Sequence, residues 1–237
     1  MKQKGFTLVE LMIAILLGLI VVGATITIYI ATLRGSTDTV RSARLNYDLD
    51  AAMTLMINDI RRAGYWGGAV IGSDARNNPA NLAANMLQIP NASCVLYSYD
   101  TNGNGQISDD ERYGFRLNNG ILQMRLSGTT TADCNNGEWQ SLTLDSGGER
   151  VEITTLVFSF VPIVSPSVPG QTKCLDRTNN TSYNSTCAAA GLASDVNAAE
   201  IRQVNIALAA RVAADTAVTK TITNTVKVRN DRIFTQP

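Results

Sequence analysis

Lys4-Gly5-Phe6-Thr7-Leu8-Val9-Glu10-Leu11-Met12 opens an apolar block that runs on without a charge from Leu11 to Leu33. At about 1.5 Å of rise per residue, a helix over residues 11–33 is long enough to cross a hydrocarbon core of about 30 Å. Lys2 and Lys4 precede the block, which places the N-terminus on the cytoplasmic side and sends the rest of the chain across the inner membrane. An ordinary secretory signal would close its apolar run with a small-residue cleavage site. Here Gly23 to Ile30 reads Gly-Ala-Thr-Ile-Thr-Ile-Tyr-Ile and the pattern continues, so the segment is expected to be retained. Glu10 stands at the edge of the block. A carboxylate there is costly unless paired, which makes it a functional candidate; the plain alternative is an interfacial glutamate touching water.

The nonapeptide Lys4 to Met12 resembles the type III leader and N-terminus of type IV pilins and type II secretion pseudopilins. The resemblance implies a leader over residues 1–5, cut after Gly5 by a prepilin peptidase, N-methylation of the new terminus at Phe6, and Glu10 as the filament-assembly glutamate. The physics agrees with that role, because cleavage creates an amine at Phe6 that a neighbouring subunit can present to a buried carboxylate. Many major pilins carry a helix-weakening proline near the middle of this segment; here Thr27 stands near that place and no proline occurs before Pro79.

Composition narrows the function further. The 237 residues hold twenty basic and twenty acidic side chains, so no net field draws the chain to nucleic acid, and none is predicted as a partner. There is no histidine, which removes the commonest general base, the commonest metal ligand and every Ser-His or Cys-His pair. An anchored hydrolase using acids such as Asp109-Asp110-Glu111 lacks a second carboxylate cluster or a nucleophile motif, so a non-enzymatic role is expected.

Past Arg34 the helical period continues. Leu45, Leu49, Ala52, Met53, Met56, Ile60 and Ala63 form one stripe, with Asp48, Asp50, Thr54, Asn58 and Arg61 opposite. The spacing predicts one helix over 6–63, loosened at Gly35-Ser36-Thr37. Arg61-Arg62-Ala63-Gly64 supplies a stop, with cations at the negative helix end and then glycine. Arg62-Ala63-Gly64-Tyr65 and Thr225 to Asn230 resemble the corresponding segments of PilW-type minor pilins.

Residues 64–237 read as a β-rich head on the periplasmic or extracellular side. Tyr113 to Leu126 predicts a hairpin around Asn118-Asn119-Gly120, and Val151 to Ile163 a strand ending before Pro166. Ile201 to Val212 alternates with Val204, Ile206, Leu208, Ala210 and Val212 on one face, and Thr221 to Val228 reads as its partner across residues 213–216. An antiparallel sheet packed on the amphipathic half-helix gives an α+β, pilin-like fold.

Asp100 to Glu111 fits the twelve-residue calcium-loop pattern D-x-[DN]-x-[DN]-G-x5-E at every specified position. Asp100, Asn102 and Asn104 supply side-chain oxygens, Gln106 its main-chain carbonyl, Ser108 a direct or water-mediated ligand, and Glu111 a bidentate carboxylate. Two asparagines where aspartate often stands point to a weak structural Ca²⁺ site, with affinity of about 10⁻⁴ to 10⁻³ M. Strand-like flanks set the loop outside a full EF-hand; the plain alternative is a solvated Asn/Gly/Asp turn. The four cysteines allow three pairings. Sequence proximity favours Cys94–Cys134 and Cys174–Cys187, and the absence of C-x-x-C and histidine argues against zinc.

Taken with the resemblance, these features imply a PilW-like minor pilin that joins other minor pilins and the major pilin through their N-terminal helices. It would sit in the inner membrane before assembly and in the surface pilus afterwards, serving motility or cell adhesion. A type II secretion pseudopilin of the J type and a pilus-tip adhesin share the same N-terminal features.

Overall fold

The computed structural model describes residues 5, 7–69, 73–143, 151–161, 172–183 and 187–235. The chain divides into two compact units, Met1–Arg44 and Leu45–Pro237. Helix α1, Leu8–Ile60, begins in the first and ends in the second.

In the first unit every residue from Thr7 to Val40 is exposed, large apolar side chains included. The helix has a mean hydropathy of 2.7 in its most apolar window, enough by length and composition to cross a membrane. Its threonines suit that environment, because their hydroxyls return to the helix backbone: Thr27 Oγ1 donates to the Ala24 carbonyl at 2.7 Å and Thr32 Oγ1 to that of Ile28 at 2.9 Å. The expected loosening at Gly35-Ser36-Thr37 does not occur. Helix runs through these residues, and Thr37 and Thr39 bond back to Leu33 and Gly35. One glycine costs about 1 kcal/mol of helix propensity, which cooperative extension from both sides outweighs.

In the second unit the predicted stripe is the core. Leu45, Leu49, Met53, Met56, Ile60 and Ala63 are buried, with Ala52 half-buried beside them. The helix ends at Ile60 rather than residue 63, because the next turns tighten: the Arg62 amide bonds Asp59 O and that of Ala63 bonds Ile60 O. Gly64, at φ +79°, then turns the chain out in the left-handed conformation that a helix stop requires.

The single expected sheet is three antiparallel sheets. The first joins β1 (Gln88–Asn91), β2 (Cys94–Ser98), β3 (Arg112–Asn118), β4 (Ile121–Ser127) and β5 (Glu138–Ser141) in sequence order. The second places β10 (Gln203–Val212) between β6 (Val151–Phe160) and β11 (Asp215–Lys227). The third orders β12 (Arg232–Thr235), β9 (Asn197–Ile201), β7 (Lys173–Asp176) and β8 (Thr181–Tyr183), with a short helix α2 (Cys187–Ala190) following β8. The predicted β3–β4 hairpin turns at Asn119 and Gly120, whose φ values of 51° and 75° are those a type I′ turn needs. β10 buries the alternating face read from its sequence, and β11 starts at Asp215, making a tighter turn than expected. Tyr97, Phe115, Leu122, Leu156, Phe158, Ile206 and Leu208 from the first two sheets share one core cluster with the 45–63 stripe.

Candidate functional site

Two places carry the residues singled out in the sequence. The first is the start of α1. Thr7 is its N-cap: Glu10 Oε2 accepts the Thr7 amide and hydroxyl, both at 2.9 Å, and the Glu10 amide donates to Thr7 Oγ1 at 3.3 Å. This reciprocal capping box satisfies helix-start donors that would otherwise face apolar surroundings. Glu10 Oε1 accepts no hydrogen bond among the described residues. Gly5 is exposed, whereas Phe6 lies outside the described residues.

The second place is where the chain leaves α1. Asp59, 8% exposed, accepts hydrogen bonds from Tyr97 OH at 2.6 Å and Tyr99 OH at 2.8 Å. Burial, reinforced by the Asp59 charge and these hydrogen bonds, pushes the Tyr97 and Tyr99 hydroxyls well above the ordinary tyrosine range. The Arg62 guanidinium lies over the Tyr99 ring at 4.1 Å and 3.8 Å from Asp59 Oδ1, so it does more than cap a helix. Tyr113 stacks on Tyr99 at 4.2 Å, and its hydroxyl is 2.8 Å from Thr101 Oγ1 at the start of the Asp100–Glu111 loop.

In that loop Asp100 and Glu111 are buried, at 0% and 1% exposure, and both carboxylates fold back on the loop backbone. Asp100 Oδ1 accepts the Gly103 amide at 2.7 Å, and Oδ2 accepts those of Gly105 and Gly67 at 2.8 and 3.0 Å. Glu111 Oε1 accepts the Thr101 and Asn102 amides, and Oε2 the Ser108 amide and hydroxyl. Asn102 Oδ1 takes the Asn104 amide and Asn104 Oδ1 that of Gln106. The acidic donors are therefore two buried carboxylates, and no group of three or more His, Cys, Asp or Glu side chains suited to a metal forms among the described residues.

The helix exit packs against this loop. Gly64 N donates to Ser98 O at 2.8 Å, Asp100 N to Tyr65 O at 3.0 Å, and the Trp66 indole to Gly105 O at 3.0 Å. A Cβ at Gly67 would stand 2.5 Å from Gly103 Cα, so only glycine fits there. Sequence reasoning missed this packing; the Trp66-Gly67-Gly68 run was its one local signal. It also missed Arg112, which holds Asp109 at 2.6 Å and Asn85 at 2.7 Å, and the fully buried Arg125, which bonds Ser127 O, Thr130 O and Asn136 Oδ1.

The disulfides are Cys94–Cys134 and Cys174–Cys187, and no described cysteine is free. The first ties β2 to the segment after β4, enclosing the loop and its hairpin.

A family model described as prepilin peptidase-dependent protein B matches residues 38–228, and one described as the prokaryotic N-terminal methylation motif matches residues 1–26. Comparison with curated proteins and with solved structures returns no match.

Proposed function

The chain belongs to the prepilin peptidase-dependent protein B family, and on that premise we propose that it is a PilW-like minor pilin which primes or caps a type IV pilus. A prepilin peptidase removes residues 1–5, and the Phe6 amine so exposed is methylated. Before assembly the chain is held in the inner membrane by α1 with its head in the periplasm; afterwards it resides in the pilus. Its work is assembly with other minor pilins and the major pilin rather than catalysis.

The observation that carries this reading is Glu10. It is the one charge in a helical segment whose apolar side chains are exposed from Leu8 to Leu33. One of its oxygens is engaged by Thr7, and Oε1 is left to accept the cationic terminus of a neighbouring subunit. In an apolar setting such a pair is worth forming because an unpaired carboxylate there is so unfavourable, and it fixes the register of one helix against the next.

Deletion of the gene, followed by electron microscopy for surface pili and an assay for secreted exoproteins, tests the role. Loss of pili with secretion intact is expected. Intact pili with lost secretion would instead assign the chain to a type II secretion system as a J-type pseudopilin, and intact pili that no longer attach would assign it to adhesion. Expressed with a tag beside the native chain, Glu10→Ala is expected to insert and be cleaved but to be missing from the sheared pili that the native chain still builds.

A further inference from the structure

We propose that Asp100–Glu111 binds a calcium ion and that the bound ion latches the exit of helix α1 to the head. The sequence supplies oxygen donors at each position where a twelve-residue calcium loop needs them, with glycine at the sixth. Gly105 takes φ +84° there, the sharp turn that lets successive donors converge.

Charge gives an independent reason. Asp100 and Glu111 are buried, yet neither forms an ion pair with a described Lys or Arg. The nearby cations are committed elsewhere: Arg112 to Asp109 and Asn85, Arg62 to Asp59 and the Tyr99 ring. Amide and hydroxyl donors orient the two carboxylates but add no charge. Buried charges are normally paired or bound to metal, so two negative groups without a counter-charge call for a cation.

The neutral donors can complete its shell. The Gln106 carbonyl accepts no hydrogen bond among the described residues. Asn102 Oδ1 and Asn104 Oδ1 each accept one and keep a lone pair. Oxygen ligands of mixed type, neutral carbonyls beside two carboxylates, suit Ca²⁺ better than Mg²⁺, which demands a near-ideal octahedron. The flanks are β2 and β3, not a helix pair, so the ion has no helices to open and its effect is to stiffen.

What it stiffens is the helix exit. Asp100 binds the Gly67 amide, its own amide binds Tyr65 O, and Gly105 O holds the Trp66 indole. An ion drawing Asp100 and Gly105 into one fixed loop also fixes residues 65–67, the first residues after the α1 stop.

The test uses the full-length mature chain in detergent micelles, carrying Trp139→Phe so that Trp66 is the reporter. The Trp139 indole N–H is buried without a hydrogen-bond partner, so that change removes no hydrogen bond, and phenylalanine keeps a ring face beneath the Arg116 guanidinium. Titration with CaCl₂ is expected to give one saturable binding heat at about 10⁻⁴ to 10⁻³ M and a shift in Trp66 emission with the same midpoint, while MgCl₂ at those concentrations gives neither. Glu111→Gln is expected to weaken binding at least about tenfold. Asn104→Ala, at an exposed position whose side chain bonds only the loop, is expected to weaken it without altering the fold. Absence of calcium heat, or unchanged affinity in Asn104→Ala, overturns the site. Calcium heat with unmoved Trp66 emission overturns the latch.

Discussion

The two stretches of helix α1, residues 8–44 and 45–60, have the same backbone and opposite surroundings. In the first, apolar residues occur on all sides as far as Leu33 and all of them are exposed; in the second, the apolar stripe at three- and four-residue steps is buried, while Asp48, Asp50, Thr54 and Asn58 face water beside Tyr47 and Leu55. The contrast teaches that one regular element can be built for two solvents. Uniform hydropathy asks for lipid or for the helices of other subunits, and a stripe asks for a sheet.

The largest expected effect comes from emptying the buried stripe. Met56→Ala removes a side chain that is 0% exposed, and it should destabilise the head by about 2–5 kcal/mol in chemical denaturation of the full chain. Ile20→Ala, in the exposed stretch, should change the same transition by less than about 0.5 kcal/mol. Equal effects would break the contrast. Charge should act in reverse. Ile20→Arg is expected to cost about 2.5–3.5 kcal/mol of membrane insertion, read as the fraction of chain integrated in membranes, whereas Thr54→Arg on the wet face of the second stretch leaves insertion unchanged.

Both stretches were legible because each is periodic or uniform over many residues, and the β3–β4 turn was legible because Asn119-Gly120 is local chemistry. The division of the head into three sheets was not. β1, β5, β7 and β12 are four residues each, too short to show alternation, and their partners are set by packing. The site was legible in the same measure. The donors of the 100–111 loop share one run of sequence, but Gly67 against Asp100 and Asp59 against Tyr97 and Tyr99 are pairs 33 to 40 residues apart. Asp59 in particular sits one position from the buried stripe, where helical spacing alone gives no reason for an acid. Its reason is the two phenol groups that the first sheet brings to it.

That acid gives the buried stretch a pH response the exposed stretch lacks. Burial and Asp59 raise the Tyr97 and Tyr99 hydroxyls above the unfolded value of 10.0, so both stay protonated in the folded head while the unfolded chain ionises. Their contribution is therefore fully present below about pH 10 and is lost as pH rises above it. Tyr99→Phe should cost about 1.5–3 kcal/mol at pH 8, where it removes a hydrogen bond to a carboxylate. The wild-type advantage should then shrink by about 1.4 kcal/mol per pH unit above pH 10, followed by denaturation of both proteins in parallel. A constant advantage from pH 9 to 12 would show that these phenols ionise in the folded head as they do in the unfolded chain.

The smallest effect sharpens the contrast at its other end. Thr7→Ala removes the hydroxyl that both donates to Glu10 Oε2 and accepts the Glu10 amide, a capping loss of about 1 kcal/mol. Because the first stretch is a unit of its own, that loss should stay local. Amide exchange at Glu10 and Leu11 should quicken about fivefold in micelles, with no change in head unfolding. The variant also separates the two tasks of Glu10. If capping is what the glutamate is for, Thr7→Ala should be as absent from sheared pili as Glu10→Ala. If the carboxylate is held for a neighbour's amine, Thr7→Ala should still assemble, since losing the hydroxyl leaves the carboxylate in place, with the residue 7 amide still on Oε2 and Oε1 open to the neighbour.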